Sequence, residues 1–453
     1  MARVLISAYA CRPNTGSEPG IGWNFATHAA QSNDVWVLTR PDNRTNIEAA
    51  VNADQTGALS RIRFVYVPLT GLAAKAVPGK LVHVRYAMWQ RQVAQAAQRL
   101  HDEVKFDVVH HVTYGCYWQP AGVAALPEVP MIWGPVGGGE SAPKGLLSDL
   151  DLKGRVMERA RDFVRWAGER RGSVRRSAAR ATLALATTRE TAECMRAIGT
   201  RNVEVFTAMG LKGTEIDEFA TVPAAPENGG ALSVVSVGRL LDWKGFHLGL
   251  RAFAEAQLPA GSRYDVIGDG PAMAHLRREA EELGIADKVH FAGQLPRERA
   301  MELLAKSQVL VHPSLHDSGG WVCLEAMAMG RPVLCLDLHG PAMMISEETG
   351  VKVPASTPAQ TVTGLATAMR RLAGDPAMRD RMGQAGRARA RDAFSWTTKA
   401  REIAALYDRV IGDRPLASTG ATGAPGPSRA PVGGTDRAEA ESLTASATTA
   451  PRE

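Results

Sequence analysis

The feature that most constrains the fold is an alternation of short apolar runs with longer stretches of helical spacing, which occurs in two series along the chain. In the first series, runs rich in β-branched residues predict strands at 4–8, 35–39, 63–67, 107–111, 131–133 and 182–186. The stretches between them predict helices at 20–31, 80–100 and 153–176. Strands that alternate with helices favour a parallel sheet covered on both faces.

A second series of the same kind begins near residue 232. Its predicted strands are 232–237, 264–267, 288–292, 309–312, 333–336 and 351–353. Its predicted helices are 246–255, 273–283, 297–305, 321–329, 359–372 and 377–390. Two sheets in series predict an α/β fold with a cleft between them, and ligands bind at the carboxyl ends of parallel strands.

Breaks in the pattern suggest the domain boundaries. The chain has 453 residues, which is more than one typical domain, and a stretch rich in Gly, Pro and Ala interrupts the alternation at 209–230. From 414 onward the composition changes to Pro, Gly, Ala, Ser and Thr without any aromatic residue. We therefore predict domains at 1–208 and 209–394 and a disordered tail at 414–453.

Composition narrows the class of protein. The five cysteines are far apart and form no CxxC pair, which favours reduced thiols over disulfides or a zinc site. No apolar stretch reaches the ~20 residues of a membrane span, and the first ten residues do not have the pattern of a signal peptide. We expect a cytoplasmic protein that does not bind nucleic acid.

The net charge of +6 is concentrated in one segment, 153–180, which has ten Lys or Arg against three acids. In a helix over this segment, Val156, Ala160, Phe163 and Ala167 fall on one face. Such a helix is compatible with peripheral contact with an anionic membrane on the inner face of the cell. An ordinary solvated helix is the alternative, and both interpretations stay open.

The most informative stretch lies at 308–332, where a predicted strand, a loop and a predicted helix follow one another. The loop brings Ser318, Gly319, Gly320 and Trp321 to the start of the helix, where free N–H groups favour phosphate oxygens. Asp317 precedes the glycines and Glu325 lies inside the helix; these carboxylates suit sugar hydroxyls better than phosphates. Together these features suggest a nucleotide-sugar site, although an ordinary strand-to-helix connection also explains the glycines.

Other candidates lie at the predicted ends of neighbouring strands. Arg239 and Lys244, after Gly238, are candidates to neutralise a diphosphate, with two solvated cations as the alternative. Gly268, Gly270 and Gly293 are candidate walls for a base and a ribose, and plain turns would explain them nearly as well.

The first half supplies candidates for the opposite wall of the cleft. Gly16 and Glu18 follow the first strand, and a tight turn with a capped helix is the alternative interpretation of them. His110 and His111 end the fourth strand, with one of the two expected to face the cleft, although a histidine there is equally expected to be held in the interior. Gly137 and Gly138 belong to a flexible loop that is a candidate for shaping an acceptor pocket.

Taken together, the second-half motifs resemble those of the retaining glycosyltransferases of family 4. The motifs are Gly238-Arg239-Leu240 with Lys244-Gly245, Gly268-Asp269-Gly270-Pro271, Val289-His290-Phe291-Ala292-Gly293, and His312-Pro313-Ser314 with Glu325-Ala326-Met327-Ala328-Met329-Gly330-Arg331-Pro332-Val333. The resemblance covers about residues 1–412. It implies a GT-B fold, in which two Rossmann-like domains face each other across a cleft, with the donor in the C-terminal domain.

The resemblance also implies roles for individual residues. Arg239 and Lys244 match ligands of the diphosphate and Glu325 matches the residue that holds the ribose, whereas Asp317 stands where the family usually has a glutamate. A histidine of the cleft maps to the strand end at His110 and His111, with the usual spacing interrupted by Val112. A terminal helix at 395–412 is expected to cross back and complete the first domain.

The expected activity is retaining transfer of a hexosyl unit from a nucleotide-diphosphate sugar to the hydroxyl of a glycan, lipid-linked or small-molecule acceptor, without a metal or other cofactor. A GT-B epimerase or phosphorylase and a catalytically silent nucleotide-sugar-binding protein are the alternatives. The sequence does not specify the sugar, the base or the acceptor.

Overall fold

The computed structural model describes residues 1–70, 81–227 and 229–412. All of these residues lie within one compact unit, Met1–Arg414. The predicted disordered tail at 414–453 lies outside the described residues, and so does residue 80, the first of a predicted helix.

A seven-stranded parallel sheet organises the first half, with strand order β3-β2-β1-β4-β5-β6-β7. Its strands are β1 (Arg3–Ala8), β2 (Asp34–Thr39), β3 (Ile62–Tyr66), β4 (Val108–Thr113), β5 (Met131–Val136), β6 (Leu183–Ala186) and β7 (Val203–Val205). The helices of this half are α1 (Ser17–Ala29), α2 (Arg44–Ala53), α3 (Val82–Val104), α4 (Leu152–Glu169), α5 (Gly172–Arg180) and α6 (Arg189–Ala197).

A six-stranded parallel sheet organises the second half, with strand order β10-β9-β8-β11-β12-β13. Its strands are β8 (Ser233–Val237), β9 (Arg263–Ile267), β10 (Val289–Gly293), β11 (Val309–His312), β12 (Val333–Leu336) and β13 (Gly350–Val353). The helices are α7 (Gly213–Ala220), α8 (Phe246–Ala256), α9 (Met273–Glu282), α10 (Arg297–Lys306), α11 (Trp321–Ala328), α12 (His339–Met344), α13 (Pro358–Gly374), α14 (Pro376–Phe394) and α15 (Trp396–Gly412).

The predicted α/β class with two parallel sheets is confirmed. The central strands are buried along their whole length because helices cover both faces of each sheet. The sequence analysis missed short elements such as β7 and α2. It also predicted one helix over 153–176, which is wrong: the backbone is extended at Arg171, and α4 and α5 are separate helices.

The chain passes between the halves at two adjacent places. Leu211 and Ser395 form an isolated parallel bridge, in which the Leu211 N–H donates to the Phe394 carbonyl at 2.9 Å and the Trp396 N–H donates to the Leu211 carbonyl at 2.9 Å. Beyond this bridge, α15 returns to the first half, where the Trp396 ring packs against Phe25 of α1. The exact domain boundaries stay a prediction.

Contacts between histidines and carboxylates connect the segment 149–190 of the first half with the second half. Each joins a histidine to a carboxylate: Asp149 with His247 at 3.1 Å, Glu158 with His316 at 3.0 Å, and Glu190 with His339 at 3.2 Å. Arg251 strengthens the first pair by approaching Asp149 at 2.6 Å. Together with α15, these pairs hold the two halves in their present arrangement.

The two histidines of β4 are core residues. His110 and His111 are 0% and 1% exposed. The Nε2–H of His110 donates to the Gly134 carbonyl at 2.6 Å, so that Nδ1 of the neutral ring accepts from the Tyr407 hydroxyl of α15 at 2.8 Å. Burial lowers the pKa of His110 to about 3 and that of His111 to about 4.

We expect acid to destabilise the protein through these histidines. Their pKa values are lower in the folded chain than the ~6.5 of an unfolded chain, so the unfolded state takes up the protons first. Their stabilising effect is complete above about pH 6.5 and is lost as the pH falls towards the folded values, by about 1.4 kcal/mol per pH unit for each ring. Chemical denaturation at about pH 6.5 and about pH 5 measures this slope.

The variant His110→Gln keeps hydrogen-bonding groups near Gly134 and Tyr407 but does not titrate, so the slope should fall by about one histidine's share. The matched control, Tyr407→Phe, should lower the free energy of unfolding by about 1–3 kcal/mol at both pH values and leave the slope unchanged. An unchanged slope in His110→Gln would contradict this account.

Candidate functional site

A cleft of about 740 Å³ lies between the carboxyl ends of the two sheets. The loops after β1, β4 and β5 form one wall, and the loops after β8 and β11 with the first turns of α10 and α11 form the other. The sequence-predicted residues that line the first wall are Gly16, Glu18 and Gly137. Those that line the second wall are Gly238, Lys244, Asp317, Ser318, Gly319, Gly320, Trp321 and Glu325.

The start of α11 faces the cleft. The helix begins after Gly320, which has φ 84°, a left-handed conformation that favours glycine. The first N–H groups of a helix have no partner within it, and they carry the positive end of the helix dipole. This part of the wall is therefore suited to an anion such as a phosphate.

Lys244 and Asp317 form an ion pair in the same wall, with Nζ and Oδ2 2.5 Å apart. The Nε2 atom of His312 lies 3.3 Å from the same oxygen. Burial raises the pKa of Asp317, but His312 and the Lys244 ammonium outweigh burial and hold this pKa well below its usual range. Asp317 is consequently an ionised acceptor, and Lys244 is its main counter-charge.

Glycine at position 245 makes this pairing possible. Gly245 has φ 68°, and a Cβ atom there would lie 2.0 Å from the carbonyl oxygen of Pro313. The loop that carries Lys244 therefore packs directly on the loop that carries Asp317. A larger residue would push the two loops apart.

Arg239 takes a different position from Lys244. Its neighbour Gly238 lines the cleft, but the Arg239 side chain is exposed and does not belong to the lining. Within 1–70, 81–227 and 229–412, no hydrogen bond or ion pair of its side chain is seen. The structure thus brings Lys244, Gly319 and Gly320 together and leaves Arg239 at the rim.

Glu325 has a partner that the sequence analysis missed. The Arg297 guanidinium, at the start of α10, donates to Oε1 of Glu325 from Nη2 at 2.7 Å and from Nε at 3.2 Å. Burial raises the pKa of Glu325, and the Arg297 charge opposes this rise. Arg297 also lies 3.2 Å from Glu215. Both of its hydrogen bonds to Glu325 go to Oε1, which leaves Oε2 for a ligand. A buried carboxylate needs such a partner, but no sequence spacing identifies which cation supplies it.

On the opposite wall, Glu18 stands in the first turn of α1. Its Oε1 atom accepts the Gly115 N–H at 2.5 Å, in the loop that follows β4. Burial raises the pKa of Glu18, while this hydrogen bond and the Arg40 charge oppose the rise. The same loop brings Thr113, Tyr114 and Cys116 to the cleft, none of which the sequence analysis selected.

Some predicted residues lie away from the cleft. The expectation that one histidine at the end of β4 faces the cleft is wrong, because His110 and His111 are both enclosed in the core. Gly138 packs beside the Trp118 ring. Gly268 lies directly against the carbonyl of Gly238 and Gly270 against that of Leu240, so these two glycines support the loop that carries Arg239. Gly293, at the end of β10, is not part of the lining either.

Two negative observations apply to the part of the chain that the structure describes. In that part, no group of three or more His, Cys, Asp or Glu side chains is arranged to hold a metal ion. The described helices include none that combines the length and apolar character needed to cross a membrane.

Comparison with known proteins shows what the second half is similar to. Residues 219–389 match the family model described as glycosyl transferases group 1. The chain is 31% identical over 184 residues to the lipopolysaccharide core biosynthesis glycosyltransferase LpsD of Rhizobium meliloti (strain 1021), covering 41% of this chain and 51% of that protein. It is 31% identical over 199 residues to the 2-deoxystreptamine glucosyltransferase of Streptomyces kanamyceticus, covering 44% and 50%. The chain thus spans about half the length of the curated relatives it matches.

Solved structures resemble almost the whole described fold. Sucrose-phosphate synthase (tll1590) from Thermosynechococcus elongatus has a TM-score of 0.59 at 18% identity, over 91% of this chain and 100% of that chain. The apo form of the lipopolysaccharide outer core galactosyltransferase WaaB has a TM-score of 0.60 at 16% identity, over 90% and 99%. Anabaena Alr3699/HepE in complex with UDP and glucose has a TM-score of 0.57 at 18% identity, over 90% and 99%. The chain therefore has the GT-B fold, and its residues 219–389 are similar to the group 1 glycosyl transferases.

Proposed function

We propose that the protein is a retaining glycosyltransferase that moves a hexosyl unit from a nucleotide-diphosphate sugar to an acceptor hydroxyl. The observation that carries the proposal is the convergence of Lys244, the start of α11, Asp317 and Glu325 on one wall of a single cleft. That wall offers positive charge for a diphosphate and, beside it, two carboxylates for sugar hydroxyls.

The diphosphate binds between Lys244 and the first N–H groups of α11. Asp317 neutralises Lys244, so an incoming phosphate competes with Asp317 for the ammonium. When Lys244 turns to the phosphate, Asp317 becomes free to accept hydrogen bonds from the hydroxyls of the transferred sugar. Donor binding thereby exchanges one charge pair for two ligand contacts.

Glu325 binds the ribose of the nucleotide. Arg297 occupies its Oε1 atom, and a carboxylate accepts several hydrogen bonds, so Oε2 is available for ribose hydroxyls. The complex of Anabaena Alr3699/HepE contains UDP and glucose, which makes UDP-hexoses the first donors to test.

In the proposed reaction, the acceptor oxygen forms a bond to the anomeric carbon while the bond from that carbon to the diphosphate oxygen breaks. The acceptor proton passes to an oxygen of the departing diphosphate. Lys244 and the amides of Gly319 and Gly320 stabilise the negative charge that develops on this leaving group. Because attack and departure use the same face of the sugar, the anomeric configuration is retained.

The proposal requires no divalent ion, since Lys244 and the helix N-terminus supply the positive charge. Incubation with isotope-labelled UDP-hexose and a panel of acceptors, with and without EDTA, tests this. We expect labelled glycoside of unchanged anomeric configuration in both arms. Epimerised sugar, phosphorolysis or binding without turnover would refute transfer, and activity that EDTA abolishes and Mg²⁺ restores would refute metal independence.

Lys244→Ala should lower kcat about 10²–10³-fold, because a charge that stabilises the leaving group is lost. The matched control is Lys288→Ala, which removes an exposed lysine of the same half and should leave kcat unchanged. Adding Asp317→Ala to Lys244→Ala removes the carboxylate left without its counter-charge. Recovery of wild-type kcat in this double variant would show that Lys244 acts only as a partner of Asp317.

The role of Glu325 is tested by comparing a nucleotide that has the 2′-hydroxyl of the ribose with one that lacks it. Wild-type protein should bind UDP about tenfold or more tightly than 2′-deoxy-UDP, because a charge-assisted hydrogen bond to the 2′-hydroxyl is lost. In Glu325→Ala both nucleotides should bind with the same Kd, as measured by calorimetry. If the variant still discriminated like wild type, Glu325 would not be the ribose ligand.

A further inference from the structure

Helix α4 turns some of its charged side chains inward and its large apolar side chains outward. On the inner side, Glu158 pairs with His316, and the Arg161 guanidinium donates to the Glu140 carbonyl at 2.6 Å. Arg165 donates to the Ser141 hydroxyl at 2.8 Å. In a surface helix of a soluble protein the apolar stripe normally faces the core. The arrangement in α4 is the reverse.

The outer side of α4 carries large apolar side chains that the rest of the described chain does not cover. They are 41–71% exposed: Leu152, Val156, Met157, Phe163, Val164 and Trp166. The rings of Phe163 and Trp166 stack on one another with centroids 5.6 Å apart. Side chains of this size at helical spacing form a continuous patch rather than scattered surface residues.

A second exposed apolar group lies at the start of α3, which is connected to α4 through Trp118. Leu81, Val82 and Val84 are 36–51% exposed. The His83 ring packs on Trp118 at 4.7 Å between centroids, and Gly168 of α4 fits directly against Trp118. We call the exposed faces of α4 and of 81–84 together the outer patch.

Positive charge accompanies the outer patch. Within 151–180, the exposed charged side chains are the cations Lys153, Arg155, Arg159, Arg170, Arg171, Arg175 and Arg176 and the acids Asp151 and Asp162. The Arg170 guanidinium lies over the Trp166 ring, 4.0 Å from its centroid. A tryptophan with an arginine beside it, an apolar face and surrounding cations is the composition of a helix that lies in the interface of a negatively charged bilayer.

We infer that the outer patch docks on the surface of an anionic phospholipid membrane, with the axis of α4 in the membrane plane. Phe163 and Trp166 enter the headgroup region, while the surrounding cations contact lipid phosphates. Membrane docking is a property separate from the proposed transfer reaction, and it does not depend on a bound donor.

Charge decides between this partner and a second copy of the chain. A symmetric contact through the outer patch would bring two sets of these cations together, whereas anionic lipid neutralises them. The chain outside the described residues is also a poor cover, because 71–80 and 413–453 contain few large apolar side chains.

The docking surface on α4 lies close to the cleft. The inner side of α4 reaches His316, and the next residue, Asp317, lines the cleft beside Lys244. The helix that meets the membrane therefore contacts, through Glu158 and His316, the loop that forms part of the wall where the donor is proposed to bind.

The full chain, without donor, should sediment with vesicles of phosphatidylcholine containing about 30% phosphatidylglycerol and should bind pure phosphatidylcholine vesicles at least tenfold more weakly. Raising the salt concentration from about 0.1 M to about 0.5 M should weaken binding to the anionic vesicles. Quenching of tryptophan fluorescence by brominated lipid should fall in Trp166→Phe, which keeps an aromatic ring but removes this fluorophore.

Phe163→Ser with Trp166→Ser, and separately Arg159→Glu with Arg170→Glu, should each lower vesicle binding about tenfold or more. The matched controls change exposed residues elsewhere, Leu283→Ser with Val205→Ser and Arg278→Glu, and should bind like wild type. Circular dichroism and gel filtration confirm that each variant is folded.

Three results would overturn the inference. The first is equal binding of anionic and neutral vesicles, and the second is unchanged binding by both variants of α4. The third is a dimer in solution that dissociates when Phe163 and Trp166 are replaced, since a second copy would then cover the outer patch. Transfer activity enters none of these measurements, so failure of docking and failure of the proposed reaction are distinguishable.

Discussion

The candidate site depends on one topological constraint: each strand of a parallel sheet must be followed by a crossover, so the loops after the strands collect at one edge. This chain satisfies the constraint twice, and the two edges face each other across the cleft. Residues as distant in sequence as Glu18 and Glu325 become neighbours of one cavity in this way. The helices that cover the sheets fix the edges from which the loops extend, and α1, α10 and α11 also supply Glu18, Arg297 and Glu325 to the cleft.

Within the cleft, the electrostatic centre is the contact between Lys244 and Asp317. The close packing of Gly245 on Pro313 brings the two loops together, and His312 and Lys244 keep Asp317 ionised although it is buried. A buried charge is tolerated when it is paired, and it is therefore available to a ligand that supplies a replacement partner. Arg297 and Glu325 repeat this arrangement at the other end of the wall.

Local patterns in the sequence predicted the elements and the loop at Gly319 and Gly320, because an apolar run, two glycines and a helical stretch are adjacent in the chain. The sheet rule then predicted that Lys244 lies near them, since β8 and β11 are neighbours. Contacts between residues that are distant in sequence could not be predicted from local patterns or from the sheet rule. Arg297 meets Glu325 from another helix, and His110 is enclosed by Tyr407, which lies 297 residues away in sequence. Helical spacing also showed that α4 has an apolar stripe, but only packing shows that the stripe faces outward.

The paired passage of the chain at Leu211 and Ser395 limits how the cleft can open. Because both connections lie side by side and are bonded to each other, they act as one hinge, and the Trp396 ring packed on Gly210 stiffens it. Any opening of the cleft must therefore involve bending at this one connection. The contact between Glu158 of α4 and His316 also joins the two halves. Opening of the cleft must break this contact, which therefore stabilises the closed arrangement.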